Sequence, residues 1–210
     1  MITLDIVSDP ICPWCYIGKT RLDQALAEVP EPPFEIHWRP FQLNPDMPPE
    51  GMDRRSYLEA KFGKAQAAEF YTHIARTAAE AGLEVDFEAI ARTPNTIDAH
   101  RLIRWARSGR QQGAVIDEMF LRYFARGQDI SDHGVLCEIA EAAGMDRDLV
   151  ARLLDSDADI EEVRGEDAMA REMGIRGVPT FILDGRYMVS GAQESTVWQR
   201  IIGELAAVPT

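Results

Sequence analysis

Basic residues are scarce in this chain, and so are cysteine and histidine. Only 22 lysines and arginines stand against 35 acidic residues, a formal net charge of −13. Such a surface repels phosphate backbones and anionic lipid, which argues against nucleic-acid and membrane partners. No run approaches the ~18–20 consecutive apolar residues of a membrane helix. The N-terminus has no basic stretch followed by an apolar one, because Met1 leads directly into Ile2-Thr3-Leu4-Asp5-Ile6-Val7. A cytoplasmic protein is therefore expected. Three cysteines, an odd number, do not make a framework of structural disulfides. Beyond a close pair at Cys12 and Cys15, only Cys137 and four scattered histidines remain, too few at metal-ligand spacing for tetrahedral zinc. No bound metal is expected. The sequence has no repeats.

The apolar content, 46% of 210 residues, supports a real core. Residues 2–7 alternate with period two, as a strand does, and Ser8-Asp9-Pro10 breaks the pattern. From Pro13 to Glu28 the apolar positions Leu22, Ala25, Leu26 and Val29 recur at helical spacing, and Pro30, Pro32 and Pro33 end the run. Phe34–Trp38 reads as a second strand, so the unit is a parallel, right-handed βαβ crossover. Residues 40–51 form a loop. Between 53 and 174 no convincing strand is found, and helices are predicted at 53–62, 65–81, 96–108, 111–126, 132–143 and 157–173. Gly82, Gly109, Gly127, Gly144 and Gly174 stand at their ends. Thr180–Leu183, Asp184-Gly185 and Arg186–Val189 make a hairpin signal, followed by a helix over 194–206. The α/β order is thus β-α-β, a helical block, then β-β-α. The expected segments are 1–52 and 175–210, sharing one sheet, with 53–174 as an all-helical insertion.

Cys12-Pro13-Trp14-Cys15 lies at a strand-to-helix junction. Residues i and i+3 of a helix share a face about 5–6 Å apart at Cβ, a spacing that a disulfide or two thiols can both occupy. Pro13 suits the first turn, where its missing N–H costs no helix bond. The orphan N–H groups and positive dipole end favour a thiolate there. Cys12, earliest in the turn, is expected to be the exposed attacker, and Cys15, one turn in, the thiol that resolves the mixed disulfide. The electrons would reside in this pair, so no bound cofactor is expected. Protein thiols and disulfides, or glutathione, are the expected partners. Nothing in the sequence sets an oligomeric state.

Residues 8–18, Ser-Asp-Pro-Ile-Cys-Pro-Trp-Cys-Tyr-Ile-Gly, resemble the active site of the DsbA-like family, and its FrnE-type branch in particular. Trp38-Arg39-Pro40-Phe41 with Leu43-Asn44-Pro45, Asn95-Thr96 with Ala99-His100-Arg101-Leu102, and Gly177-Val178-Pro179-Thr180-Phe181 carry the resemblance across nearly the whole chain. It implies a thioredoxin-like fold with a helical insertion and a cis Pro179 facing the cysteines. It also implies that Pro13, Trp14, Val178 and Pro179 bind substrate. One departure matters: the strongly oxidising periplasmic members carry Pro-His between the cysteines, and Trp14 cannot stabilise a thiolate by charge. A less oxidising couple is expected. The same fold resembles hydroxychromene-carboxylate isomerases and kappa-class glutathione transferases. Those typically have serine at the position of Cys12, so a glutathione-dependent isomerase or transferase is the competing class.

Other candidates carry two readings each. Asp5 points away from Ile2, Leu4 and Ile6. If that face is buried it could shuttle a proton to Cys15, and otherwise it is a solvated carboxylate. His100 either lines the cleft or is a hydrogen-bonded structural residue. Asn95 is a helix cap or, secondarily, a substrate contact. Cys137 sits beside an apolar helical stripe and reads as a small apolar residue or, secondarily, a regulatory thiol. Trp105, Phe120, Tyr123 and Phe124 fall on helical faces and read as core.

Overall fold

The computed structural model describes residues 1–206, with the backbone alone described at 64–70. The last four residues of the expected 175–210 segment lie outside it. Strand β1 (Ile2–Ser8) forms as its alternation predicts. Leu4 and Ile6 enter the main core on one face, while Val7 joins a smaller cluster with Phe41, Ala170, Ile175 and Ile182 on the other. Both faces are covered because β1 is central. It pairs parallel with β2 (Phe34–Pro40) and antiparallel with β5 (Thr180–Leu183). The sheet order is β2-β1-β5-β6, with β6 at Tyr187–Ser190. Asp184 and Gly185, at φ 51° and 66°, make the turn that the Asp-Gly pair predicts.

Helix α1 (Pro13–Ala27) packs against α9 (Ser195–Ala206). Between β2 and β5 run α2 (Arg54–Phe62), α3 (Lys64–Glu80), α4 (Ile97–Trp105), α5 (Gln112–Phe120), α6 (His133–Ala142), α7 (Arg147–Leu154) and α8 (Ile160–Glu172). Three details differ from the sequence reading. A two-residue ladder, β3 (Met52–Asp53) with β4 (Arg92–Thr93), stands where no strand was expected, too short to show any alternation. The expected helix over 111–126 is α only to Phe120 and widens into a π turn at Leu121–Ala125. Helix α7 was missed, since eight residues give little periodicity to read, although Asp146 caps it by accepting from Leu149 N–H at 2.9 Å.

Phe120, Tyr123 and Phe124 are fully buried, as their helical spacing predicts. Trp105 is only half-buried and donates from Nε1 to Asp159 at 2.8 Å. Gln112 closes the exposed edge of β2 by bonding both backbone groups of Trp38, at 3.1 and 3.3 Å. Among the described residues no helix is long and apolar enough to cross a membrane.

Candidate active site

Cys12 occupies the N-cap of α1 in extended conformation (φ −88°, ψ 113°), and its side chain makes no capping bond. The thiol turns instead toward a carbonyl across the cleft, and Cys12 is buried at 4% exposure, not the exposed attacker that its place in the sequence predicts, because the loop before Pro179 packs over the helix end where unpaired N–H groups gather. Asp9 C=O accepts the Cys12 N–H at 2.9 Å, which fixes the loop, and Pro13 follows at the first helical position. Both cysteines are unbonded thiols. Cys12 Sγ lies 3.6 Å from the Val178 carbonyl oxygen, directly before the cis Val178–Pro179 bond. Cys15 is buried to 1% exposure. Burial raises its pKa well above the ordinary value, the neighbouring Cys12 adds to the rise, and Ser8 and the Asp9 backbone pull against it. Cys15 is thus held as the protonated thiol beside Cys12.

The wall opposite the helix end is mostly backbone. Gly18, on the inner face of α1, leaves room for Pro179: a Cβ there would stand 3.0 Å from Pro179 Cγ. Gly191 N–H donates to Pro179 C=O at 2.8 Å, and Thr180 Oγ1 donates to Gly177 C=O at 2.9 Å. Beside this loop opens a cavity of about 420 Å³ lined by Gly177, Val178, Pro179, Thr180 and Gly191. Trp14 turns away toward α3, with its ring 5.7 Å from that of His73.

The expected segments thus converge on one place: residues 8–18 and 177–181 meet at the cysteines. A scan against family descriptions matches the DSBA-like thioredoxin domain over residues 3–203. The chain belongs to this DSBA-like family. A probable DsbA oxidoreductase from Streptomyces coelicolor superposes with a TM-score of 0.88 at 32% identity, covering 100% of this chain and 92% of that one. A 2-hydroxychromene-2-carboxylate isomerase shares the fold, with a TM-score of 0.74 at 17% identity over 97% and 96% of the two chains. So does the cytosolic disulfide reductase DsbM from Pseudomonas aeruginosa, solved with GSH, at 0.70 and 19% over 98% and 100%.

Within this DSBA-like frame, the proton-shuttle reading of Asp5 needs correction. Asp5 follows Leu4 and precedes Ile6, so period two sends its side chain to the other face of the sheet from Cys15. There it accepts from Arg39 Nε at 2.6 Å and keeps some solvent contact. The fully buried carboxyl is Asp9, which the sequence reading passed over as a strand breaker. Asp9 accepts from Leu43 N–H at 2.7 Å and Ile11 N–H at 3.3 Å, and from the Thr96 hydroxyl. Burial nevertheless raises its pKa from 3.8 to about 7. His100 Nε2 lies 3.9 Å away without a hydrogen-bond partner. Burial lowers the His100 pKa from 6.5 to about 4, against the pull of Asp167 and the Phe41 carbonyl. From about pH 4 to 7 both groups are therefore neutral, and the contact is not an ion pair.

Asn95 bonds locally: its Oδ1 accepts from Ile97 N–H at 2.9 Å and its Nδ2 donates to Met47 C=O at 2.6 Å. Cys137 is buried in the core, and burial raises its pKa. Among the described residues no three His, Cys, Asp or Glu side chains gather as metal ligands.

Proposed function

We propose that this protein is a thiol–disulfide oxidoreductase acting through Cys12 and Cys15, with no bound cofactor. The observation that carries the reading is the Cys12 thiol, unbonded to sulfur at a helix N-cap and 3.6 Å from the carbonyl that precedes cis Pro179. Cys12 as thiolate attacks one sulfur of a substrate disulfide, and the first substrate thiol leaves. Burial is the main reason Cys15 stays protonated, and the mixed disulfide removes the Cys12 contribution that adds to it, so Cys15 becomes easier to ionise. Cys15 then attacks Cys12 Sγ, the second substrate thiol leaves, and the protein disulfide closes. Two electrons pass to the substrate, and the two thiol protons end on its sulfurs. Oxidation of substrate thiols is the same path reversed.

Peptide disulfides and glutathione disulfide are the proposed substrates, and the DsbM complex with GSH supports the latter. A reducing cytosol is the proposed setting. Because Trp14 lends no charge to Cys12, the midpoint potential is expected below the roughly −120 mV of DsbA. The test is redox titration in glutathione buffers. A two-electron transition is expected, absent in Cys12→Ser, while Cys15→Ser accumulates a mixed disulfide visible by mass spectrometry. Glutathione-dependent activity that survives Cys15→Ser, with no transition in the wild type, would move the assignment to the isomerase or transferase class.

A further inference from the structure

Four cations are buried among the described residues: Lys19, Arg21, Arg54 and Arg101. Three have a carboxylate partner. Lys19 pairs with Asp23 and Asp117, Arg21 with Glu194, and Arg101 with Asp98. Arg101 also fills its other donors with the carbonyls of Leu153, Ser156 and Ala158 at 2.6–2.7 Å. That is how a buried arginine is satisfied when its task is to hold a fold together. Arg54 differs. Its guanidinium donates only to the Tyr123 and Tyr71 hydroxyls, at 3.0 and 2.8 Å, and its Nε has no partner. The Tyr71 and Tyr123 rings lie beside it, 5.2 and 5.9 Å from the guanidinium carbon. A buried charge without a counter-charge is costly, and fixed dipoles and ring faces offset that only in part.

Arg54 lines a cavity of about 600 Å³, walled also by Leu58, Tyr71, Phe87 and Ile90. The volume suits a small molecule. The carboxylates at its edge are engaged or peripheral: Asp53 caps α2 by accepting from Ser56, Glu59 pairs with Arg55, and Glu88 is exposed. The cavity also stands near the chemistry. Ile90, Phe87 and Tyr123 belong to the same apolar cluster as Cys12 and Cys15. Trp14, between the two cysteines, contacts His73 two residues beyond Tyr71.

We propose that this cavity is a carboxylate-binding subsite beside the dithiol, taking small organic acids with an apolar body, and in particular disulfides or thiols that carry a carboxylate. The guanidinium fork would receive the carboxylate, Leu58, Phe87 and Ile90 the apolar part, and Cys12 the sulfur. The sulfur half of this proposal rests on the thiol–disulfide reading above, and the acid-binding half does not.

Two arms of one experiment keep these apart. Calorimetry at about 0.15 M salt, where surface charge is screened beyond ~8 Å, compares 3-phenylpropionate with its neutral amide. The wild type is expected to bind the acid at least about tenfold tighter, the scale of a charge-assisted hydrogen-bonded pair. Arg54→Met should remove the preference, Arg54→Lys should keep part of it, and Leu58→Trp should block both probes. The second arm measures oxidation of Cys12 and Cys15 by 5,5′-dithiobis(2-nitrobenzoate) and by the neutral 2,2′-dithiobis(5-nitropyridine). Each probe disulfide takes two electrons and leaves as two thiols. The ratio of the two rates should fall about tenfold in Arg54→Met, in step with the lost binding preference. Equal binding of acid and amide by the wild type overturns the subsite, and a rate ratio that Arg54→Met leaves unchanged overturns its role in presenting sulfur to Cys12. Should Arg54→Met fail to fold, the wild-type comparison and Leu58→Trp still decide. Oxidation by neither disulfide, with acid binding intact, sinks the redox reading and leaves the subsite standing.

Discussion

The two walls of the dithiol cleft are built from different chemistry. On the sheet side stand Val178 C=O, Pro179, Gly177 and Gly191, which offer backbone groups and shape. On the helical side Asp9, in the loop before Cys12, meets Thr96 and His100, which offer titratable or polar side chains. Backbone groups are alike in every peptide, so the sheet-side wall can accept many partners. Side chains with charge discriminate and respond to pH. The contrast predicts that perturbing the sheet side changes geometry, whereas perturbing the helical side changes charge.

The largest effect is expected at Asp9 and His100. The folded chain keeps the Asp9 proton up to about pH 7, while the unfolded chain releases it near 3.8. Asp9 therefore makes the fold less stable as pH rises through that window, by about 4 kcal/mol at roughly 1.4 kcal/mol per pH unit. His100 acts oppositely. It stays neutral to about pH 4 in the fold, while the unfolded chain takes up a proton below 6.5. It costs stability as pH falls through that range, by about 3 kcal/mol. The two slopes largely cancel in the wild type. Urea unfolding at pH 4 to 8 should show Asp9→Asn gaining stability with rising pH relative to the wild type, and His100→Asn losing it. Parallel curves for all three proteins would break the contrast between the walls.

Gly18→Ala probes the other wall and should cost about 1–3 kcal/mol, the range for overpacking. Its Cβ would meet Pro179 Cγ at 3.0 Å, and Phe181 Cζ and the Ala192 Cα at 3.4 Å. Disulfide exchange should slow along with it, and the stability loss should be the same at pH 5 and pH 8, since no titratable group is touched. A pH-dependent loss would show that the sheet side is not purely geometric. Cys137→Ala should cost about 1 kcal/mol, near one buried methylene's worth, without changing the exchange rate. Smallest of all is Asp5→Asn. It breaks a partly solvated pair with Arg39, costs about 1 kcal/mol or less, and leaves the pH dependence of exchange by Cys12 and Cys15 as it was. A shifted pH profile would restore Asp5 as a proton carrier.

Asp5 and Asp9 also show where reading the sequence stops. Alternation in residues 2–7 says that Asp5 and Leu4 face opposite ways, and that is correct. It does not say which face of the sheet Cys15 lies on, nor that Arg39 will meet both Asp5 and Glu166 of α8. Asp9 looked like a turn residue, and locally it is one. Its burial comes from Leu43, Thr96 and His100, which lie 34 or more residues away in the chain. Arg54 and Arg101 look alike in sequence, two arginines on polar helices. Arg101 meets four carbonyls and a carboxylate, Arg54 two hydroxyls and a cavity.

The sequence by itself determined what short-range forces decide. These are the period of β1 and α1, the proline and helix end at Cys12-Pro13-Trp14-Cys15, and the Asp184-Gly185 turn. Each depends on residues within about one turn, where sterics and backbone hydrogen bonds act. Only the tertiary structure decided which side chains lose water together. Desolvation depends on whatever the rest of the chain brings to the spot, and it is desolvation that raises the pKa of Asp9 and of Cys15, just as only the packing sets Arg54 beside an open cavity.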